Sequence, residues 1–231
     1  MRQALDQFQR NVDGVRALAG VVTSIKTMTT SAVDLSDVMR AELVLAVSAL
    51  DHFIHEVARC GMLEVHRGNR PPTDAYQAFR IPLGAVRTGL SDLTRDDWLD
   101  SAIRQAQSLS TFQRPDNIAD ALRLISPVKL WDEVAKQLGL ASAEVKRRLQ
   151  LVVDRRNKIA HEADLDPLNP GVRWPIDEQM VDDAITFIHS LGLAIHKVIE
   201  GPTGVKSKRL LLDAFLGLLA NRLEDAKRRT L

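Results

Sequence analysis

Apolar residues recur along this chain at helical intervals. Leu5, Phe8, Val12, Val15, Leu18, Val22 and Ile25 step by three or four positions, which predicts a helical N-terminal arm over residues 1–30. The small polar run from Thr27 to Ser31 breaks the pattern, and Ser31 or Asp34 is the candidate N-cap of a second helix. This second helix is the clearest in the chain. Leu43, Val47, Leu50, Ile54 and Val57 fall on one face, and Gly68-Asn69-Arg70-Pro71-Pro72 stops the helix soon after His66.

From Thr73 to Leu140 the elements shorten, punctuated by Pro82, Gly84, Gly89, Pro115 and Pro127. Ser91-Asp92 or Thr94 can cap a helix carrying Trp98, Ile103 and Leu109. Pro115-Asp116-Asn117 and Ser126-Pro127 read as helix openings with proline in the first turn, and Gly139 as a stop. A strong helix then runs from Ser142 to about His161 on Val145, Leu149, Val152 and Val153. A loop rich in Asp and Pro spans 164–175. The next helix, about Asp177 to Glu200, turns Met180, Ala184, Phe187, Ile188, Leu191, Ile195 and Val198 inward, and a last one covers about Val205 to Lys227. No run alternates long enough for a strand. The expected fold is all-α: a helical bundle over 31–200 with additional short helices, plus terminal helices at 1–30 and 201–231.

Composition narrows the functional classes. At 45% hydrophobic and 26% charged, the chain has material for a core without metal or disulfide staples. Cys60 is the single cysteine, so neither an internal disulfide nor a cysteine-rich zinc site can form. The formal charge of +1 argues against a nucleic-acid coat protein but permits an enzyme with a small basic patch. No signal-like start and no run of about 18 apolar residues is present, so a cytoplasmic protein with no membrane span is expected. No Gly-rich phosphate loop, GxSxG elbow or HExxH pair occurs.

The informative segment is Asp154-Arg155-Arg156-Asn157-Lys158-Ile159-Ala160-His161-Glu162. Cleaving RNA without metal requires a base for the ribose 2′-OH, an acid for the leaving 5′-oxygen and a cation for the phosphorane. Histidine titrates in the right range, and the planar fork of arginine fits two phosphate oxygens. Five residues turn a helix through roughly 140°, so Arg156 and His161 are not side by side on one face. A two-fold pairing of the helix would gather two copies of each in one cleft.

Arg156-Asn157-x-x-x-His161 resembles the RX4–6H signature of the HEPN superfamily, in which a polar residue usually follows the arginine. The likeness is closest to the RiboL-PSP-type HEPN group and covers about residues 40–200. Ala46 to Glu56, Thr111 to Ile118 and Arg155 to Pro167 support it in order. The resemblance implies a helical homodimer with a composite cleft and endoribonucleolytic cleavage to a 2′,3′-cyclic phosphate, in defence, toxin or stress systems. It implies no metal and no cofactor. By position Arg156 clamps the phosphate, His161 is the acid/base and Asn157 orients one of them or the RNA. Arg155, Lys158, Gln113 and Asn117 are the candidate RNA contacts, and Asp51, His55 and Glu162 the candidate supports. Some toxins of the superfamily carry a tyrosine two residues after the histidine, a target of antitoxin nucleotidylation. Ala163 stands there in this chain, so that control is not expected, although a regulatory protein partner remains compatible.

Other readings of these residues compete. Cations near a helix C-terminus are favoured by the macrodipole alone. Asp51, His52, His55 and Glu56 pair at four-residue spacing and can be plain polar packing, second-layer support or, least of all, a metal site. Gln113, Asp116 and Asn117 can cap a helix instead of lining a cleft. His189 and His196 share a face suited to a half-buried or interface position. Lys206, Lys208, Arg209, Lys227, Arg228 and Arg229 form a solvated rim or a contact surface. A non-catalytic HEPN module binding RNA or a protein is the alternative to the nuclease.

Overall fold

The computed structural model describes residues 1–28, 33–91 and 95–201. Among the described residues there are nine helices and no strand: α1 (Arg2–Met28), α2 (Ser36–His66), α3 (Asp74–Gln77), α4 (Leu83–Ser91), α5 (Asp97–Gln107), α6 (Pro115–Arg123), α7 (Leu130–Leu138), α8 (Ser142–Glu162) and α9 (Glu178–Glu200). The expected caps at Ser31, Asp92 and Thr94, and the expected helix over 205–227, lie outside the described residues.

The long helices form where the apolar spacing predicts them. α2 is the centre of the core, with Ala46, Val47, Leu50, Phe53, Ile54, Val57, Ala58 and Met62 all buried. Asp34 accepts from the Ser36 N–H at 2.8 Å, so this side chain does serve the start of α2. α1 lies along α2 and buries Phe8, Val12, Val15 and Val22. The Phe8 ring meets Phe53 at 4.8 Å between centroids. It also reaches the backbone of α9, where a Cβ added at Gly192 would stand 2.3 Å from the ring. Residues of the N-terminal helix are therefore part of the core. On α8, Val145, Leu149 and Val153 face inward.

The boundaries and faces differ from those the sequence predicts in three places. The Ser126-Pro127 opening is a turn, with Ser126 Oγ accepting from the Val128 N–H, and α7 starts at Leu130. Docking of Trp131, whose Nε1 donates to the Pro115 carbonyl at 3.1 Å, sets that start. α5 ends at Gln107 and buries Leu99, Ala102 and Ile103, which leaves Leu109 almost fully exposed beyond it. On α9 the inward face begins at Val181, not Met180, whose side chain is 49% exposed. Met180 instead supplies the N–H bonded by the capping Asp177 at 2.8 Å.

Candidate functional site

α8 keeps regular helical geometry through His161 and Glu162 and then ends abruptly. Ala163 and Asp164 both adopt left-handed backbone, with φ of 51° and 58°, a conformation that costs energy for any residue bearing a Cβ. The Asp164 N–H closes the end by donating to the Lys158 carbonyl at 3.0 Å. The turn drops the Asp164 side chain beneath the helix, where it is fully buried.

Two guanidinium groups meet Asp164 there. Arg40 Nε of α2 donates to Oδ2 at 2.7 Å, and Arg155 Nη2 of α8 donates to the same oxygen at 2.9 Å. The carbonyl of Trp174 accepts from both arginines, and that of Pro175 from Arg155. The Trp174 N–H closes the ring by donating to the Asp164 carbonyl at 2.9 Å. Burial pushes the Arg155 pKa down, with Asp164 opposing the shift and Arg40 adding to it. Lys158 lies over the Trp174 ring, 5.0 Å from its centroid. Arg155 and Lys158, expected from the sequence to contact RNA, are thus engaged by the loop that follows their own helix. Arg155 is a positioning residue, because its Nη2 is bonded to Asp164 and two carbonyls, although its Nε is buried without a hydrogen-bond partner among the described residues.

Arg156 is placed differently. Its Nη1 donates to Asn157 Oδ1 at 2.9 Å, and its Nε is buried with no partner among the described residues. Asn157 stands four residues before His161, so the two are neighbours on one helix face. Asn157 therefore draws the Arg156 guanidinium around α8 towards the His161 side, against the angular offset of their spacing. His161 is exposed and has no side-chain partner among the described residues. Glu162 is exposed beside it.

The same face of α8 continues towards its N-terminus through Asp154, which accepts from Gln150 at 2.7 Å. Asp154 also lies 3.8 Å from Arg114 of the loop before α6. That loop is tied to α2 by Asp51, whose carboxylate accepts from the Phe112 N–H at 2.5 Å and from Gln113 Nε2 at 3.2 Å. His55 stacks on Phe112 at 4.3 Å and lies 3.9 Å from Asp51. Gln113 is buried and Asn117 donates to the Thr111 carbonyl at 2.9 Å. Neither caps α6, and Gln113 is turned to Asp51 instead of to a surface cleft. Asp51 and His55 brace the loop that reaches α8; no contact joins them to Arg156 or His161 among the described residues.

Sequence reasoning missed Arg40, Asp164, Trp174 and Arg114. Asp164 carried a faint signal, as the residue at a helix end that had to stop without glycine. Arg40 carried none. Among the described residues no group of His, Cys, Asp and Glu is arranged to hold a metal ion. No helix of the described residues is long and apolar enough to cross a membrane.

No curated protein and no solved structure matched the chain. A family match covers residues 15–201, from within α1 to the end of α9, and so takes in Asp51, the loop before α6, and the whole of α8 with its terminal turn. On this match over most of its length, the chain belongs to the RiboL-PSP-HEPN family.

Proposed function

We propose that this protein is a metal-independent endoribonuclease acting as a homodimer. The observation that carries the reading is the difference between adjacent arginines: Arg155 gives its Nη2 to the Asp164 carboxylate beneath the helix, while Arg156 has no carboxylate partner among the described residues and is bonded only to Asn157, on the His161 side of α8. A guanidinium with no carboxylate partner keeps its charge for an anion, and the oxygens of a phosphate fit its planar fork. In the proposed reaction His161 removes the proton of the ribose 2′-OH. The O2′ attacks phosphorus, the P–O5′ bond breaks, and the 5′-oxygen takes a proton as it leaves. The products are a 2′,3′-cyclic phosphate and a 5′-hydroxyl. Arg156 neutralises charge on the non-bridging oxygens. Base and acid act on opposite sides of the phosphorus, so one histidine is ill placed for both, and a second copy of α8 across a two-fold axis supplies the other. A role in defence, toxin or stress systems, with a regulatory protein partner, suits such an activity.

The test is incubation of purified protein with mixed RNA in EDTA, beside His161→Ala. The expected result is cyclic-phosphate ends from the parent and at least a 100-fold loss, roughly, in the variant, with melting temperature and sedimentation unchanged. Equal cutting by both rejects the assignment. One observation favours a second reading: no carboxylate or carbonyl orients the His161 ring among the described residues. If neither protein cuts but both bind RNA, and Arg156→Ala abolishes that binding, the chain is a binding module built on the same face.

A further inference from the structure

Arg114 stands between two anchored neighbours. Before it, Gln113 is buried and donates to Asp51 Oδ2, while the Phe112 N–H donates to Oδ1 of the same carboxylate. After it, Pro115 opens α6, and the Pro115 carbonyl accepts from Trp131 Nε1 at 3.1 Å. Arg114 itself is extended, with φ −77° and ψ 148°, the conformation favoured before proline. Its carbonyl accepts from the Ile118 N–H in the first turn of α6. The backbone is thus fixed on both sides, yet the side chain is 59% exposed.

That side chain lies over α8 beside Asp154, which is itself half exposed. Arg114 Nη2 and Asp154 Oδ1 are 3.8 Å apart, too far for a hydrogen bond. Gln150 donates to Asp154 Oδ1 at 2.7 Å, and Oδ2 has no donor among the described residues. The pair therefore presents guanidinium donors and a carboxylate acceptor, side by side and open to solvent. An exposed pair of this kind is worth about 0–1 kcal/mol, so a ligand that bonds both groups displaces little. Asp154 and His161, seven residues apart, share one face of α8 about 10 Å apart along its axis. That is the place of a nucleotide near the cut, not of the cut phosphate. A phosphate is a poor occupant, because Asp154 repels it. A base edge with donors and acceptors in a row fits. Adenine and cytosine offer a carboxylate one amino group, and uracil sets its N3–H between two carbonyl oxygens. Guanine offers N1–H and N2–H together, with the O6 acceptor next to them.

We propose that Arg114 and Asp154 form a subsite that reads guanine in single-stranded RNA, Asp154 accepting from N1–H and N2–H and Arg114 donating to O6. The subsite rests on the reading that this face of α8 engages RNA, and it gives that face a sequence preference. The anchored loop holds the Arg114 backbone in place before RNA arrives, so less order is lost on binding.

The full chain is incubated in EDTA with single-stranded RNA oligomers of randomised sequence, and the cut ends are sequenced. If the chain binds without cutting, the retained oligomers are sequenced instead. A stacked strand advances about 3.4 Å per nucleotide, so guanine is expected at one fixed position within about three nucleotides of the cut, favoured about ten-fold over every other base. In an oligomer of the selected sequence, inosine at that position removes only the 2-amino group and should lower cleavage or binding about ten-fold. Asp154→Asn should lose most of the guanine preference and no longer tell inosine from guanine. Arg114→Gln should weaken the preference, and both variants should melt as the parent does. A pair that only braces the loop would leave base preference unchanged in both variants. The proposal is overturned by RNA cutting or binding without base preference, by preference for another base, or by an Asp154→Asn variant that still distinguishes inosine; each of these leaves the RNA reading standing. A parent that neither cuts nor binds RNA overturns the subsite and that reading together.

Discussion

The packing of α1 on α2 and the terminus of α8 hold the same kind of element by opposite means. Along α1 and α2 the contacts are apolar and closely fitted: Phe8 against Phe53, and against an α9 backbone that only a glycine leaves bare. At the end of α8 no apolar residue is buried beyond Val153. The helix is held there by Arg40, Arg155 and Asp164. Apolar burial is non-directional and fixes a face. It does not fix where a helix stops. A buried ion cluster is directional, and it pins one residue at one place. That place puts His161 on the last helical turn, exposed, with its backbone fixed from below.

The sharpest way to break the contrast is Asp164→Ala. It leaves two guanidinium groups buried without their carboxylate, a loss of about 3–5 kcal/mol in unfolding free energy, measured by urea denaturation. Under the nuclease reading it should also depress RNA cleavage in the fraction that stays folded. A parent-like stability would show that the ions do not hold the helix end.

Gly192→Ala attacks the apolar region. The added methyl collides with the Phe8 ring, and about 1–3 kcal/mol of destabilisation is expected. Cleavage per folded molecule should stay as in the parent, since the helix end is untouched. If Gly192→Ala and Asp164→Ala impair cleavage equally per folded molecule, the two regions are not functionally distinct.

The smallest change should run the other way. Ala163→Gly relieves a left-handed backbone at φ 51°, offset in part by the greater freedom of glycine in the unfolded chain, for a gain of about 0.5 kcal/mol. A fall in thermal stability would mean that the Ala163 methyl makes a contact outweighing the strain.

Much of the fold is legible in the sequence because helical periodicity is a local property. Leu43, Val47, Leu50, Ile54 and Val57 are all buried as their spacing predicts, and Gly139, with φ 66°, ends α7 as expected. Met180 and Leu109 are the misses of the same reasoning. Both are apolar residues at helix ends, where a one-residue shift of face or boundary changes what is covered. Among the candidate site residues, Arg156, Asn157 and His161 follow from their spacing and family likeness. The structure adds the Arg156–Asn157 bond, which bends the arginine towards the histidine's face.

The sequence by itself determined the helical class and the inward faces of the long helices, and it singled out the candidate segment on α8, because each depends on residues a few positions apart. Only the tertiary structure gave Arg155 and Arg156 their different surroundings. They are identical neighbours in a basic run, told apart locally only by the polar Asn157 after Arg156 and the spacing to His161. What separates them is Asp164 under the helix end and Arg40, 124 residues before it in the chain. A buried charge takes its role from the partners that burial brings to it, and those partners meet only once the chain has folded.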